Sequence, residues 1–398
     1  MERAEVVVIG LGAMGSATLY QLAKRGVDVV GIDRFSPPHA LGSTHGDTRI
    51  TRQAIGEGMA YVPLVLRSHE LWREIEAETG TDVFTACGGL VLTAGSSTAG
   101  HHGIEEFFAS TVAAARTYDI EHEILDFEEL RTRFPQFNVT EAQSGYYEPG
   151  AGFVRPEIAV AAQLELATRH GARIQRMERV SSIEPSNNEV TVRSDRAVYG
   201  ASQVVITAGP WISSLARCDD ITFACTVYRQ TLHWFDASAF YSTLTPERMP
   251  VFIWGEVGSG GRDVFYGFPA IDGRSGGLKV ATEQYEVSCD PDGVLADVTP
   301  NESQRVFDDC VKGRLPLSSA VVKSARCPYT VTPDHQFIID RHPEYSNVLL
   351  ASPCSGHGFK HSAAIGESLA QWAIDGASTI DLSSFALNRF AEESSAWD

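Results

Sequence analysis

The sequence predicts a mixed α/β fold in two parts, and three observations support this prediction. Close to the N-terminus, an apolar run, a glycine turn, a helical pattern and a second apolar run follow one another. Between Tyr228 and Thr282, apolar and polar residues alternate in short runs, as they do in half-buried antiparallel strands. From Phe337 to Asp375 the chain returns to short apolar runs and one long helix. We therefore expect an α/β domain that is discontinuous in sequence and a second domain built on an antiparallel sheet.

The N-terminal run is a βαβ unit with a glycine-rich turn. Its pattern predicts a strand from Glu5 to Gly10, a helix from Ala17 to Lys24 and a second strand from Val27 to Ile32. The turn between them reads Gly10-Leu-Gly-Ala-Met-Gly15. Its first glycine allows a sharp turn, its second lets the backbone approach a pyrophosphate, and its third lets helix and strand pack closely. Free N–H groups at the start of the helix can then bind the phosphates.

An acidic residue, Asp33, follows the second strand. At this distance from the glycine turn, a carboxylate accepts hydrogen bonds from the ribose diol of FAD or NAD and disfavours a cofactor with a 2′-phosphate. The alternative is a glycine turn that only packs a βαβ unit. Because strand, helix, second strand and acid occur in the required order, we predict a Rossmann-like dinucleotide-binding domain.

The remaining elements alternate in type along the chain. Helices are predicted at Tyr61 to Glu78, Ile104 to Arg116, Pro156 to Gly171 and Phe359 to Asp375. Short strands at Arg173 to Gln175, Glu178 to Ile183 and Glu189 to Arg193 are predicted to form a small antiparallel meander. We assign residues 1–85, 145–215 and 325–398 to the nucleotide-binding domain, and residues 86–144 and 216–324 to the substrate domain.

Composition argues against several classes of protein. The chain carries 32 basic and 51 acidic residues, a formal charge of −19, which disfavours binding to nucleic acid or to an anionic membrane. No signal sequence precedes the first strand and no apolar run is long enough to span a membrane, so we expect a cytoplasmic protein. The seven cysteines form no C-x-x-C pair, which indicates neither a disulfide framework nor a zinc site. An anionic substrate would need a local cationic pocket.

A loop rich in basic and polar residues follows the βαβ unit and reads His45-Gly-Asp-Thr-Arg-Ile-Thr-Arg52. Arg49 and Arg52 are three residues apart, which places them on one face of a helical turn or on opposite sides of an extended segment. A guanidinium group can hold a carboxylate or phosphate through two hydrogen bonds. The functional interpretation is that Arg52 binds a substrate carboxylate while Arg49 lies against the cofactor. The alternative is a pair of solvated or ion-paired arginines.

Three further positions each have a functional and a structural interpretation. Lys360, in a glycine-containing turn before the last helix, is either a second cation for a carboxylate or a surface lysine. Lys279 lies within an alternating strand and either extends to solvent or provides a buried cation. Cys327 follows Arg326, whose charge would favour the thiolate, although a lone cysteine is most often a small buried residue. His357, between two glycines, is assigned a structural role.

These residues occur in motifs that resemble the monomeric sarcosine oxidase family, which includes N-methyltryptophan oxidase and belongs to the FAD enzymes related to D-amino-acid oxidase. The resemblance extends over nearly the whole chain. Its motifs are Pro37-Pro-His39, Gly42-Ser-x-His45-Gly-Asp-Thr-Arg49-x-x-Arg52, Gly56-Glu-Gly58, Tyr61-Val-Pro-Leu64, Tyr228-Arg-Gln230, Tyr266-Gly-Phe-Pro269, Leu278-Lys279, Cys327-x-Tyr-Thr330, Phe337-Ile-Ile-Asp340 and Ser355-Gly-His-Gly-Phe-Lys360.

The resemblance implies roles for residues in a flavin site. It implies that FAD is attached through an 8α-thioether to Cys327, and that the cationic head of Lys279 stabilises superoxide as oxygen is reduced. The expected catalytic residues are Lys279, Arg49, Tyr266 and His45. The expected substrate-binding residues are Arg52 and Lys360 for the carboxylate, with Tyr266, Tyr329 and Glu283 in the pocket wall. The expected cofactor-binding residues are Gly10, Gly12, Ala13, Met14, Gly15, Asp33, Arg34, Ser43, Thr44, Thr48, Arg49, Val180, Ala208, Gly209, Trp211, Cys327, Gly356, Gly358, Phe359 and Lys360.

The implied activity is the oxidation of a secondary amine, most simply sarcosine, in which FAD takes a hydride equivalent, the imine hydrolyses and O2 becomes H2O2. With sarcosine the other products would be formaldehyde and glycine. We expect a monomer without a metal. The alternatives are an oxidase of a bulkier or cyclic amine such as N-methyltryptophan, proline or pipecolate, a dehydrogenase subunit that passes electrons to a partner protein, and a flavin-binding module without turnover.

Two positions depart from the family pattern. The residue four positions after Lys279, commonly histidine in the family, is Glu283, and the residue after Arg52, often histidine, is Gln53. A carboxylate at position 283 would pair with a cationic substrate group or repel an anionic one. Trp254 is expected to alter the pocket volume. These departures leave room for a substrate larger than sarcosine.

Overall fold

The computed structural model describes residues 1–390 except 95–101, 103–105, 187–188, 217–224, 258–262 and 294. The strands are β1 (Glu2–Ile9), β2 (Val29–Ile32), β3 (Arg49–Thr51), β4 (Phe84–Thr85), β5 (Gly89–Ala94), β6 (Glu123–Leu125), β7 (Gln143–Glu148), β8 (Gly152–Val154), β9 (Arg173–Gln175), β10 (Val180–Pro185), β11 (Val190–Ser194), β12 (Val198–Ile206), β13 (Thr226–Phe235), β14 (Val251–Val257), β15 (Asp263–Gly267), β16 (Leu278–Thr282), β17 (Val321–Val331), β18 (Ile338–Arg341) and β19 (Val348–Ser352). The helices are α1 (Ala13–Lys24), α2 (Val62–Thr79), α3 (Phe107–Thr117), α4 (Phe127–Arg133), α5 (Pro156–Arg169), α6 (Ile212–Leu215), α7 (Pro300–Val306) and α8 (Ser362–Asp375).

The first sheet forms around the N-terminal strand. β1 lies between β2 and β12 and is parallel to both, and β9 continues the sheet beyond β2. The second half of β12 pairs in parallel with β19, whereas its first half pairs antiparallel with β11. Because β2 and β19 are covered on both faces, every residue in them is buried, which explains their continuous apolar sequence. The parallel strands β1, β2, β12 and β19 end at one edge, where a ligand of such a sheet binds.

The second sheet carries the central part of the chain. Its strand order is β17-β13-β16-β15-β14-β5-β7-β6. Neighbouring strands are antiparallel except for β14 and β5, which are parallel. The predicted antiparallel sheet is therefore confirmed, except that one pair of strands is parallel. Alternation of apolar and polar residues does not distinguish parallel from antiparallel pairing. The assignment of residue ranges to two domains remains a prediction.

Two local predictions were wrong. β9 does not belong to a meander with β10 and β11, because it pairs in parallel with β2 at the edge of the first sheet. Trp254 does not line the pocket that contains Lys279; it is buried and stacks on Phe265, with ring centroids 5.7 Å apart. The sequence also gave no sign of the small sheet β3-β8-β4, in which Arg49 pairs with Val154.

The helices cover the first sheet and bring distant parts of the chain together. α1 packs against both α5 and α8. The predicted helix from Ile104 begins at Phe107, and Ile104 itself lies outside the described residues. The long C-terminal helix is preceded by a 3-10 turn, Phe359–His361. Of the helices in the described part of the chain, none has both the length and the apolar character needed to cross a membrane.

Gly366 on α8 lies where α1 and α8 pack closely against each other. A Cβ atom at this position would lie 2.4 Å from the Cβ atom of Ala17. We expect Gly366→Val to lower the free energy of unfolding by about 2 kcal/mol or more, because the added side chain forces the helices apart. Urea unfolding measures the change. As a control, Ala113→Val on the exposed face of α3 should cost no more than the loss of helix propensity, about 0.7 kcal/mol. Equal losses in the two variants would contradict the close packing.

Candidate functional site

A large pocket lies at the carboxyl edge of the first sheet. Sixteen of the predicted cofactor residues line it, and they come from the glycine turn, from the ends of β2 and β12, from the loop before β3, from β10 and from the segment after β19. They are Gly10, Gly12, Ala13, Met14, Asp33, Arg34, Ser43, Thr44, Arg49, Val180, Ala208, Gly209, Trp211, Gly356, Gly358 and Phe359. Four predicted cofactor residues are not part of this lining: Gly15, Thr48, Cys327 and Lys360.

The glycine turn has the shape that a pyrophosphate requires. Gly10 adopts a φ of +86°, in the left-handed region that favours glycine. A Cβ atom on Gly15 would lie 1.8 Å from the Gly10 carbonyl oxygen, so Gly15 supports the turn from behind. Asp33 accepts the backbone N–H groups of Leu11 and Phe35, both at 2.7 Å, which fixes its carboxylate beside the turn. The residues present therefore fit a bound dinucleotide.

A second cavity of about 60 Å³ adjoins the first and shares Arg49, Tyr329, Gly356 and Phe359 with it. Its walls come from the second sheet, from β3 of the small sheet and from the segment before α8. All five predicted substrate-binding residues and three of the four predicted catalytic residues line this cavity: Arg52, Lys360, Tyr266, Tyr329, Glu283, Lys279 and Arg49. The fourth, His45, is buried nearby but is not part of the lining.

A buried carboxylate, Glu57, pairs with two of the basic side chains that line this cavity. Arg52 donates to Glu57 Oε2 at 2.5 Å, and Lys360 Nζ lies 3.4 Å from Glu57 Oε1. Burial opposes the charged form of Glu57, but Arg52 and Lys360 outweigh it and hold the pKa of Glu57 well below its usual range. Burial lowers the pKa of Lys360 to about 8, despite the opposing effect of Glu57. The sequence motif contained Glu57 but gave no role for it; its only signal was an acid five residues after Arg52.

His102 bridges two carboxylates at the side of the cavity. Its Nδ1 lies 3.1 Å from Glu57 Oε1, and its Nε2 contacts Glu283. Glu283 also accepts the hydroxyl of Tyr285 at 2.9 Å. Burial disfavours the imidazolium, but Glu283 and Glu57 outweigh it and raise the pKa of His102. A histidine with an acceptor at each nitrogen is best satisfied when protonated. Sequence reasoning missed His102 because it is 181 positions from Glu283.

The backbone that carries Arg52 is fixed by another buried acid, Glu148 at the end of β7. Its carboxylate accepts the N–H groups of Gln53 at 2.6 Å and Ala54 at 3.1 Å, and the hydroxyl of Tyr146 at 2.9 Å. The Ala54 carbonyl in turn accepts a hydrogen bond from Arg52. Glu148 therefore holds the turn that directs Arg52 towards Glu57. Burial raises the pKa of Glu148.

Arg49 and Lys279 also line this cavity. Lys279 is buried and donates to the Gly46 and Thr48 carbonyls, at 2.7 and 2.9 Å. Its Nζ also lies 4.6 Å from the centre of the Phe268 ring. Burial and the charge of Arg49 hold the pKa of Lys279 well below its usual range, which favours the neutral amine more than in an exposed lysine. The side chain of Lys279 is therefore buried and does not extend to solvent.

The loop that receives Lys279 is held by the first turn of α5. Glu157 accepts the N–H groups of Gly46 at 2.6 Å and Asp47 at 3.2 Å. Arg49 donates to the Ser43 and Thr48 carbonyls, at 2.7 and 2.9 Å. Burial and the nearby Arg49 lower the pKa of His45 to about 3, so His45 is a neutral residue of this loop.

Cys327 lies in β17, completely buried, and pairs with Gln230 of β13. The sequence-based expectation that Arg326 favours its thiolate was wrong, because neighbouring strand residues point to opposite faces. Arg326 pairs instead with Asp297 at 2.5 Å. Burial raises the pKa of Cys327, and the cations that oppose this effect are Arg49 and Lys279. Another thiol, Cys354, lines the large pocket directly.

Two tyrosines close the cavity on the side of the second sheet. Tyr266 of β15 and Tyr329 of β17 have their hydroxyl oxygens 3.2 Å apart. Burial raises the pKa of Tyr266 to about 12, and it also raises that of Tyr329. Both rings are therefore neutral hydrogen-bonding groups at ordinary pH. Their positions agree with a role in shaping the space beside Arg49.

Comparison with known proteins identifies relatives over nearly the whole chain. The monomeric sarcosine oxidase of Streptomyces avermitilis is 39% identical over 388 residues, covering 97% of this chain and 98% of that protein. The N-methyl-L-tryptophan oxidase of Yersinia pestis is 35% identical over 392 residues, covering 97% and 99% of the two chains.

Solved structures of the same fold have more distant sequences. NikD, described as an unusual amino acid oxidase essential for nikkomycin biosynthesis, superimposes with a TM-score of 0.83 at 22% identity, covering 97% of this chain and 98% of that chain. The L-proline dehydrogenase of P. horikoshii gives a TM-score of 0.79 at 21% identity, with 98% and 99% covered. The profile of one family, described as FAD dependent oxidoreductase, matches residues 5–372. The chain therefore belongs to the FAD-dependent oxidoreductase family.

Proposed function

We propose that this protein is an FAD-dependent oxidase of a small secondary amino acid, with sarcosine or another N-methyl amino acid as its substrate. The observation that carries this proposal is a cavity of about 60 Å³ that is lined by Arg52 and Lys360 together with Arg49 and Lys279. The carboxylate of an amino acid would bind the first pair, and its amine would lie beside the flavin. The names of the curated relatives support the same class of substrate.

FAD would supply the redox chemistry when bound, as the acceptor of a hydride equivalent from the amine and the donor of electrons to O2. The glycine turn and Asp33 would hold its adenosine and pyrophosphate half. Arg49, Gly356 and Phe359 line both cavities, so the flavin ring belongs where the two cavities meet. We infer that Cys327 carries the covalent link, because the charge of Arg49 opposes the effect of burial and favours its thiolate.

The residues of this chain bind and orient the substrate. Glu57 already pairs with Arg52 and Lys360, so the substrate carboxylate has to replace or share these contacts. Arg52 keeps its orientation during this exchange because Glu148 fixes the backbone that follows it. Lys279, held by the Gly46 and Thr48 carbonyls, places an N–H group beside the flavin site, where oxygen would be reduced.

The size of the cavity favours a small substrate over N-methyltryptophan. A water molecule needs about 10–15 Å³ of space measured in this way, so 60 Å³ accommodates only a few heavy atoms. Tyr266, Tyr329 and the His102–Glu283 pair set its limits. A bulky or cyclic amine would require the His102–Glu283 contact to open.

The first prediction from this proposal concerns the substrate and its carboxylate. Under anaerobic conditions we expect sarcosine to bleach the flavin faster than N-methyltryptophan, proline or pipecolate, and with air the single chain should produce H2O2. Arg52→Ala should raise KM by about 100-fold, because a charge-assisted contact to the carboxylate is lost, while the flavin remains bound. Arg131→Ala, exposed on α4, is the control.

Failure of every amine to bleach the flavin would refute the oxidase. Bleaching without H2O2 would favour a dehydrogenase that uses a partner protein. Faster bleaching by a cyclic amine would overturn the size argument, and loss of flavin from the Arg52→Ala protein would assign Arg52 to the cofactor.

The second prediction concerns the covalent link. After acid denaturation, we expect the flavin to stay with the wild-type polypeptide and to separate from the Cys327→Ser polypeptide, which mass spectrometry would also detect. Cys354→Ser is the matched control, because Cys354 also lines the cofactor pocket. If removal of Cys354 rather than Cys327 released the flavin, the attachment site would be misassigned.

The third prediction concerns pH. The raised pKa of His102 means that its positive charge is present at low pH and is lost as the pH rises through that value. Acetate, which has no amine, should therefore bind beside the flavin most tightly below this pH. Glu283→Gln removes one of the two carboxylates, so the pH at which binding weakens should fall. Flavin absorbance measures acetate binding.

Lys360 contributes a titration of its own, because burial lowers its pKa to about 8. The His102→Gln variant separates the two effects, since it retains only the contribution of Lys360. An unchanged pH profile in both the Glu283 and the His102 variants would show that the bridge does not influence carboxylate binding.

A further inference from the structure

One acidic side chain, on a segment that follows the second sheet, reaches the nucleotide end of the large pocket. The segment between β16 and α7 leaves the second sheet and carries Asp292. Its partners are Arg34 after β2, Trp211 after β12 and Arg179 before β10. Asp292 therefore connects three separate segments of the first sheet to a segment that is otherwise part of the substrate side.

Both carboxylate oxygens of Asp292 are used in these contacts. Oδ1 accepts a hydrogen bond from Arg34 and another from the Trp211 indole N–H at 2.7 Å. Oδ2 accepts from Arg179 at 3.2 Å. The Arg34 guanidinium also lies over the rings of Phe35 and Trp211, 5.2 and 5.6 Å from their centres. The hydrogen bonds from Arg34 and Trp211 lower the pKa of Asp292, so it is a carboxylate at neutral pH.

The partners of Asp292 belong to the cofactor pocket. Two residues that follow Asp33 in sequence, Arg34 and Phe35, line this pocket. It is also lined by Arg179 and Trp211. In this fold the acid at the end of the second strand marks the ribose of the adenosine half. The flavin end is marked by Arg49 and Phe359, which the second cavity shares. Asp292 thus acts at the end of the pocket that is remote from the chemistry.

The side chain of Asp292 is not needed to form its own turn. The neighbouring Asp290 accepts the Asp292 N–H at 2.9 Å and provides that local bond. The side chain of Asp292 is instead directed to other segments. An exposed ion pair by itself contributes little, and Asp292 is 41% exposed. Three donors converging on one carboxylate nevertheless restrict Arg34 and Trp211 to one arrangement at the pocket wall.

We propose that Asp292 is a positioning residue that retains the adenosine half of FAD by fixing Arg34 and Trp211 at the pocket wall. It takes no part in amine oxidation. This role depends on FAD binding alone, and the identity of the amine substrate does not affect it. Loss of the carboxylate should therefore speed the release of FAD without changing which amine is oxidised.

The test compares release of FAD from the Cys327→Ser protein, in which the cofactor can exchange, with and without Asp292→Asn. FAD fluorescence after dilution of the holoenzyme gives the rate. We expect Asp292→Asn to increase the dissociation rate of FAD about tenfold. FMN lacks the adenosine half, so its dissociation should not change. Asp308→Asn, an exposed acid paired with Lys312, is the control.

A second measurement uses the protein with Cys327 intact. A phosphodiesterase that cleaves the pyrophosphate of bound FAD should release AMP about tenfold faster from the Asp292→Asn holoenzyme. This readout remains available if the Cys327→Ser protein fails to retain FAD. Unchanged FAD release and unchanged AMP release would each overturn the proposal, and so would an equal effect of the substitution on FMN.

Discussion

The buried contact of Glu57 with Arg52 and Lys360 is the constraint on which the site depends. Cations placed inside a protein lose their hydration, and they remain charged only when a carboxylate or an equivalent acceptor compensates. Glu57 supplies that charge and is itself buried. Removing one member of such a group typically costs about 3–5 kcal/mol, because the partner is left buried without compensation. A substrate carboxylate that takes over these cations would leave Glu57 with His102, 3.1 Å away, as a remaining partner.

The fold gives this group its position at the junction of the two sheets. β3 carries Arg49 and leads directly to Arg52, while the turn before α8 carries Lys360. The second sheet contributes Lys279 and the two tyrosines, and the first sheet provides the pocket for the dinucleotide. The proposed carboxylate site and the cofactor pocket therefore share Arg49, which lines both cavities. Acids outside the lining, Glu148 and Glu157, hold the backbone on either side of Arg49.

Local patterns predicted much of this arrangement. The glycine turn and Asp33 lie in sequence as they do in space, so the βαβ unit and its pocket could be recognised directly. The extended alternative for Arg49 and Arg52 is the one observed, and it could not be chosen beforehand because the pairing of β3 with β8 joins residues about 100 positions apart. The position of β9 was mispredicted for the same reason, since its partner β2 is distant in sequence. The His102–Glu283 contact and the cations that face Cys327 likewise depend on the tertiary fold.

The most direct test of this account is a crystal structure of the FAD-loaded protein with acetate bound. We predict that the acetate oxygens lie within hydrogen-bonding distance of Arg52 and Lys360, in the small cavity beside the flavin ring, and that Glu57 has lengthened its contact with at least one of these cations. Acetate bound elsewhere, with both cations still on Glu57, would contradict the assignment of Arg52 and Lys360 as the carboxylate site.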